Sequence, residues 1–222
     1  MSSPQVSRVV EDYVTLIWKL TEWPGASVTT SELASRLEVT PSTVSSTLKR
    51  LARDGFITYE PYGPFGLTPR GEKIAVRMVR RHRLLETFLV SALGMRWDEV
   101  HVEADRMEHS ISDTVLERID AALDHPTRDP HGDPIPDGDG QVDIVDDTSL
   151  ATAAVGVLVR ITRVSDHVPE LLRYFADLGL YVGTELTVEA RSPAADILRL
   201  NYGSTSATLG MRAASDVYVE PV

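Results

Sequence analysis

The sequence predicts a mainly α-helical chain with a small β part. Three observations carry this. Apolar residues recur at helical spacing through most of residues 8–123. A short pair of β-type runs interrupts them near residues 56–68. Beyond residue 150 the pattern changes to short β-type runs around one helical stretch, as in a small β-barrel.

In RVVEDYVTLIWKLT, residues 8–21, apolar positions 10, 13, 14, 17, 18 and 20 make one face of a helix, which WPG at 23–25 breaks. Thr30 reads as the cap of a short helix, SELASRLEV. Thr40 and Pro41 open a second one, STVSSTLKRLARDG, closed by Gly55. FITYEPYGPFGLTPRG reads as two strands around a Gly/Pro turn, with Gly71 near the start of a long helix that ends at Gly94. A further single helix is expected over 97–123. Residues 126–150 are dense in Pro, Asp and Gly and read as a linker. VGVLVRITRV, ELTVEA, ILRLNY and VYVEPV are the strands of the last domain, around the helix PELLRYFADLGL. The expected boundaries are 1–71, 72–125, 126–150 and 151–222.

Charge divides the 222 residues unevenly. The whole chain carries −11, yet residues 36–85 hold 10 Lys/Arg against 4 Asp/Glu, and residues 86–222 hold 10 against 25. A basic surface on an acidic body fits a nucleic-acid partner. The absence of Cys excludes disulfides, thiolate metal sites and Cys nucleophiles. No apolar signal core opens the chain and no stretch is long enough to span a bilayer, so a soluble cytoplasmic protein is expected.

Helix, turn, helix and a two-stranded wing form a winged helix-turn-helix. Thr40, Pro41, Ser42, Thr43, Ser45 and Ser46 place small hydroxyl groups at the start of the second helix, where they can enter a major groove. Val44, Leu48 and Leu51 supply its buried face, and Lys49, Arg50 and Arg53 approach the phosphates.

His101, Asp105, Glu108 and His109 fall within an arc of about 100° on one helix face. The same arc runs on through Ser112, Val115, Leu116 and Ile119, which places the quartet on the buried side. Buried charges need compensation, and a divalent cation supplies it. His82 and Glu86 are an i, i+4 pair on the preceding helix, and Asp12 lies on the first. Imidazole and carboxylate without sulfur favour Mn(II) or Fe(II). His125 and His131 fall in the linker and receive no role. A metallohydrolase that activates water would use the same ligands, but no HExxH or substrate motif accompanies them. A winged-helix regulator of an organic ligand, with the carboxylates as salt bridges, is the third alternative.

VEDYVTLIW, VTPSTVSSTLKRLARDGFI, RRHRLLETFL, VHVEADRMEHSISD and HPTRDPHGDPIP together resemble the diphtheria-toxin-repressor family of metalloregulators, over nearly the whole chain. The likeness is to its three-domain form and to its manganese-sensing branch, since Asp12 and Asp105 stand where the iron-sensing branch has Met and Cys. The short manganese regulators carry a carboxylate one turn after the first Asp, where this chain has Thr15. The resemblance implies a helical dimerisation domain, a C-terminal SH3-like (FeoA-like) domain, and a homodimeric repressor, not an enzyme. Metal loading would make it bind double-stranded palindromic operators of metal-homeostasis genes. One metal site would use Asp12, Asp105, Glu108 and His109. A second would use His82, Glu86 and His101, completed from the third domain by Asp166, with His167 beside it. The expected cofactor is Mn2+, with Fe2+ as the alternative and Co2+, Ni2+ or Zn2+ as substitutes in vitro. No membrane partner and no organic substrate are expected.

Overall fold

The computed structural model describes residues 6–22, 28–60, 65–143 and 147–222. The break expected at 23–25 and most of the wing turn, 61–64, lie outside these. The chain divides into two units, residues 1–81 with 136–141 and residues 82–135 with 142–222.

In the first unit, α1 (Arg8–Glu22) buries Val10, Tyr13, Val14, Ile17 and Leu20, the stripe expected from their spacing. The short helix α2 (Thr30–Arg36) is capped by Thr29, not Thr30; the Thr29 side chain accepts from the Glu32 amide at 3.1 Å. Both threonines satisfy the capping preference, and the extended backbone at Thr29 decides between them. Thr40 caps α3 (Pro41–Arg53) by accepting from the Thr43 amide, with Pro41 at the first helical position.

Val44, Leu48 and Leu51 are fully buried on α3, each contributing about 1.5–3 kcal/mol by leaving water. They pack with Leu33 of α2 and the α1 stripe in one core. β1 (Ile57–Tyr59) and β2 (Phe65–Leu67) form the antiparallel wing, with Thr58 opposite Gly66. Gly71 near the start of α4 (Pro69–Leu93) is a close-approach glycine: a Cβ there would lie 2.0 Å from the Phe56 carbonyl oxygen.

The second unit holds the later turns of α4, two shorter helices and a β domain. Residues 97–123, expected as one helix, are two: α5 (Val100–Met107) and α6 (Asp113–Ala122). Ser112 is extended and its side chain accepts from the Val115 amide, so local capping overrides the apolar periodicity that suggested continuity. The polar quartet therefore does not share one continuous helix face with Val115, Leu116 and Ile119. Val115 is half exposed, while Leu116 and Ile119 are buried.

The segment expected to be a linker is folded over 127–135. The Asp129 amide donates to the Asp133 carbonyl, the Ile135 amide donates to the Thr127 carbonyl, and Ile135 is buried with Leu84 and Leu116.

The β domain has β3 (Thr148–Ser149), β4 (Leu158–Val164), α7 (Pro169–Leu178), β5 (Glu185–Ser192), β6 (Ile197–Tyr202), β7 (Thr205–Leu209), α8 (Met211–Ser215) and β8 (Val217–Pro221). Its six-stranded sheet runs β3-β8-β4-β5-β6-β7, every pair antiparallel. The expected strands are all present; β3, β7 and α8 are additional. Val159, Ile161, Leu186, Val188, Leu198 and Leu200 alternate into a core closed by Leu172 and Phe175 of α7. No described helix is long and apolar enough to cross a membrane.

Candidate metal centre and DNA-reading face

On α3 the residues expected to read DNA are displayed as a face. Thr40, Pro41, Ser42, Thr43, Ser46, Lys49 and Arg50 are exposed and Ser45 is half-buried. The hydroxyls are already ordered: Thr40 Oγ1 lies 2.8 Å from Ser42 Oγ and 2.9 Å from Thr43 Oγ1. Ser45 and Ser46 donate to the Pro41 and Thr43 carbonyls. Arg53 is turned into an ion pair with Asp54 at 2.9 Å.

The second unit gathers the polar residues of α4 and α5. His82 is buried at the centre. Its Nε2 lies 2.9 Å from Glu86 Oε1, one turn on. Its Nδ1 lies 2.7 Å from Glu108 Oε2 and 3.3 Å from Asp105 Oδ1. Glu108, at the end of α5, keeps a helical backbone and so shares a face with Asp105, three residues before it. His109 follows it, with Nε2 3.4 Å from Glu108 Oε1. His101 meets Glu86 Oε1 at 3.2 Å and Asp166 Oδ2 at 3.0 Å through the same Nδ1. Asp166, read from sequence as the third-domain candidate, is therefore brought to the cluster. His167 is held against Asp166 at 3.2 Å. Asp12 belongs to the first unit, where Arg8 Nε lies 3.9 Å from its Oδ2.

His131, given no role from sequence, is fully buried in this centre, and Asp129 lies beside it. With Glu86 they form one of three groups, among the described residues, whose ligand atoms lie within 4.8 Å of one another. The others are His82, Glu86, His101 and Asp166, and His82, Asp105 and Glu108. A linker composition misled because Pro, Asp and Gly also build tight loops. The signal that could have found the site is the alternation Asp129, His131, Asp133, three polar residues at every second position.

Two buried arginines hold that loop. Arg83 donates to the Pro134 carbonyl at 2.6 Å and lies 3.7 Å from Asp129 Oδ2 and 3.5 Å from Asp133 Oδ2. Arg163 of β4 donates from Nε to Asp133 Oδ1 at 2.8 Å. Gly132, at φ +89°, rests on β4: a Cβ there would lie 1.9 Å from the Thr162 carbonyl oxygen.

The imidazoles and carboxylates of the cluster shift one another strongly. Burial raises the Glu86 carboxyl, but His82, His101 and His131 outweigh it and hold Glu86 well below the usual range. Burial, and then the Asp133 carboxylate, push Asp129 up to about 7. Burial opposes charge on His131, yet the neighbouring Glu86 prevails and pushes the imidazole up to about 10. Glu86 Oε2 and His131 Nδ1 are buried without a hydrogen-bond partner. Orphaned donor atoms of this chemistry fit a divalent ion with nitrogen and oxygen preferences.

Such a fold and such a cluster define a metal-responsive DNA-binding protein. The N-terminal DNA-binding domain of iron-dependent repressors matches residues 5–64, their metal-binding and dimerisation domain matches residues 68–137, and the FeoA domain matches residues 148–221. The iron-dependent repressor IdeR of Mycobacterium leprae is 34% identical over 96% of each chain. The diphtheria toxin repressor of Corynebacterium diphtheriae is 32% identical over 82% of this chain and 84% of its own. Among solved structures, a manganese-dependent transcriptional repressor in complex with manganese is 42% identical, covering 96% of this chain and 100% of its own, with a TM-score of 0.91. ScaR with bound Zn2+ is 30% identical over 96% and 99%, with a TM-score of 0.82. The chain belongs to the diphtheria-toxin-repressor and IdeR family of metal-dependent transcriptional repressors, in its three-domain form.

Proposed function

We propose that Mn(II) is the activating ion and that it makes a homodimer competent to bind palindromic operators of metal-homeostasis genes in the cytoplasm. The observation that carries this is the ligand set. Every candidate is an imidazole or a carboxylate, and the chain has no Cys. Hard oxygens at Asp12 and Asp105 suit an ion with little intrinsic ligand preference. The manganese-dependent repressor of 42% identity supports the same reading.

One ion would take Asp105, Glu108 and His109, with Asp12 from α1 and His82 against Glu108. The second would take Glu86 and His101 with Asp166, joined by Asp129 and His131. When bound, the ion supplies charge compensation and a fixed geometry to groups that otherwise repel. It can favour the DNA-competent state only by binding that state better. Fe(II) is the second reading, favoured by the 34% identity to IdeR over nearly the full chain.

The test is binding to a duplex selected in vitro by the Mn(II)-loaded protein, titrated with Mn(II), anaerobic Fe(II), Co(II), Ni(II) and Zn(II), with oligomeric state followed in parallel. Activation by Mn(II) at lower free concentration than Fe(II) supports the proposal. Equal affinity with and without metal overturns it.

A further inference from the structure

Trp97 is placed unlike its neighbours. It lies in the turn between α4 and α5, yet its indole is buried in the core of the β domain with Leu172, Phe175 and Leu186. The ring meets Tyr181 at a centroid distance of 5.2 Å and stacks on His131 at 5.7 Å with 21° between planes. Its own carbonyl oxygen lies 2.8 Å from His131 Nε2.

A carbonyl can only accept, so Nε2 keeps a proton, and when the ring gives up its other proton to a metal it is Nδ1 that offers the lone pair. Nδ1 is the nitrogen that lies 3.8 Å from Glu86 Oε2. The next residue, Asp98, is buried and lies 3.5 Å from Arg173 of α7.

We propose that Trp97 is a positioning residue that couples docking of the β domain to the buried cation site, its indole fixed by the β domain and its carbonyl fixing the His131 tautomer. This rests on the reading that Glu86, Asp129 and His131 hold a cation. A hydrogen bond from a ligand imidazole to a backbone carbonyl sets ring orientation and ligand basicity, and losing such support costs about 10–100-fold in metal affinity. If the indole leaves the β-domain core, its carbonyl moves and His131 loses the acceptor that selects Nδ1. By reciprocity, an ion held by His131 stabilises the docked β domain by the same factor. The β domain would then act as a structural reporter of the site, in addition to lending it Asp166.

The test uses the full chain and Cd2+, a diamagnetic probe. Histidine 15N resonances identify the His131 nitrogen that meets the ion, and the same titration follows His82. In the wild type, Cd2+ should shift Nδ1 of His131 while Nε2 keeps its proton. Trp97→Leu should weaken the ion at His131 tenfold or more and leave the ion at His82, Asp105 and Glu108 unchanged. Trp97→Phe, which keeps a ring in the core, should stay within threefold of wild type. Wild-type affinity at His131 in Trp97→Leu overturns the proposal. Should Trp97→Leu fail to fold, hydrogen exchange on the wild type decides. Filling the His131 site should slow exchange of the Leu186 and Val188 amides tenfold or more, and unchanged exchange overturns the coupling. A wild type whose His131 nitrogens ignore Cd2+ refutes the underlying site reading, a result distinct from a filled site that Trp97 does not influence.

Discussion

Glu86 Oε2 and His131 Nδ1 face each other across 3.8 Å in the interior, and neither has a hydrogen-bond partner. Their separation is too long for a hydrogen bond and suits two ligands of one ion. His131→Ala should therefore remove one bound ion per chain, measured by calorimetry and by metal content after dialysis. An unchanged stoichiometry and affinity would assign the pair a purely structural role.

His131 and its neighbour Asp129 set a pH dependence. Asp129, raised to about 7, stabilises the metal-free fold fully below its ordinary value near 4, and that contribution is lost as pH rises through about 7. His131, raised to about 10, contributes fully below about 6.5 and is lost as pH rises through about 10. Ligation needs both deprotonated, so metal binding strengthens in the same direction. The rise in melting temperature given by saturating Mn(II) should be larger at pH 8.5 than at pH 6.5, and binding should release protons. Scanning calorimetry at the two pH values checks this; a smaller rise at the higher pH would contradict it.

Metal choice should follow the ligand atoms. The double change Asp12→Met with Asp105→Cys replaces two hard oxygens by thioether and thiolate, which Mn(II) binds poorly. DNA-binding titrations should shift preference from Mn(II) towards Fe(II), Co(II) or Ni(II), with thermal unfolding as the folding control. A folded variant with the wild-type ranking would show that these positions do not set selectivity.

On the DNA side, Lys49→Ala and Arg50→Ala should each weaken binding for all duplex sequences alike. Each lost phosphate contact should lower the slope of log affinity against log salt by about 1. Ser42→Ala, by contrast, should alter sequence preference more than salt slope. A salt slope untouched by either cationic change would place the phosphate contacts elsewhere.

Gly132→Ala should destabilise the second unit. The residue sits at φ +89°, and an added Cβ meets the Thr162 carbonyl oxygen at 1.9 Å. Strain of this kind costs on the order of 1–3 kcal/mol before any clash is counted. A lowered melting midpoint together with weakened ion binding at His131 is expected; an unchanged midpoint would mean the loop can lift from β4 at little cost.

The elements that were legible in the sequence are those governed by local chemistry. α3 could be read because Thr40, Pro41 and the triad Val44, Leu48 and Leu51 all agree, and the wing because two β-type runs stand on either side of Gly and Pro in the sequence. Ser112 was visible too, but as one more residue on an arc; its capping role shows only where the chain bends. The centre was half legible. His82, Glu86, His101, Asp105, Glu108 and His109 lie on or just beyond two helices, so spacing groups them. His131 and Asp129 reach Glu86 only because the loop is clamped from α4 and β4, a long-range arrangement that composition disguises as a spacer. Asp166 is a candidate only through the resemblance, since nothing within the third domain marks one loop carboxylate over another; the fold sets it 3.0 Å from His101.

Arg83, Asp133 and Arg163 come from three separate parts of the chain, yet all are buried and meet in one ionic knot. Losing any one strands a charge in the interior, at about 3–5 kcal/mol, whereas replacing the set together by apolar groups can be neutral. Divergence in this lineage should thus pass through these positions in concert. Sequences that drift at 83 without matching change at 133 and 163 should be rare, and a β domain grafted from a relative should be accepted only with its own version of the knot.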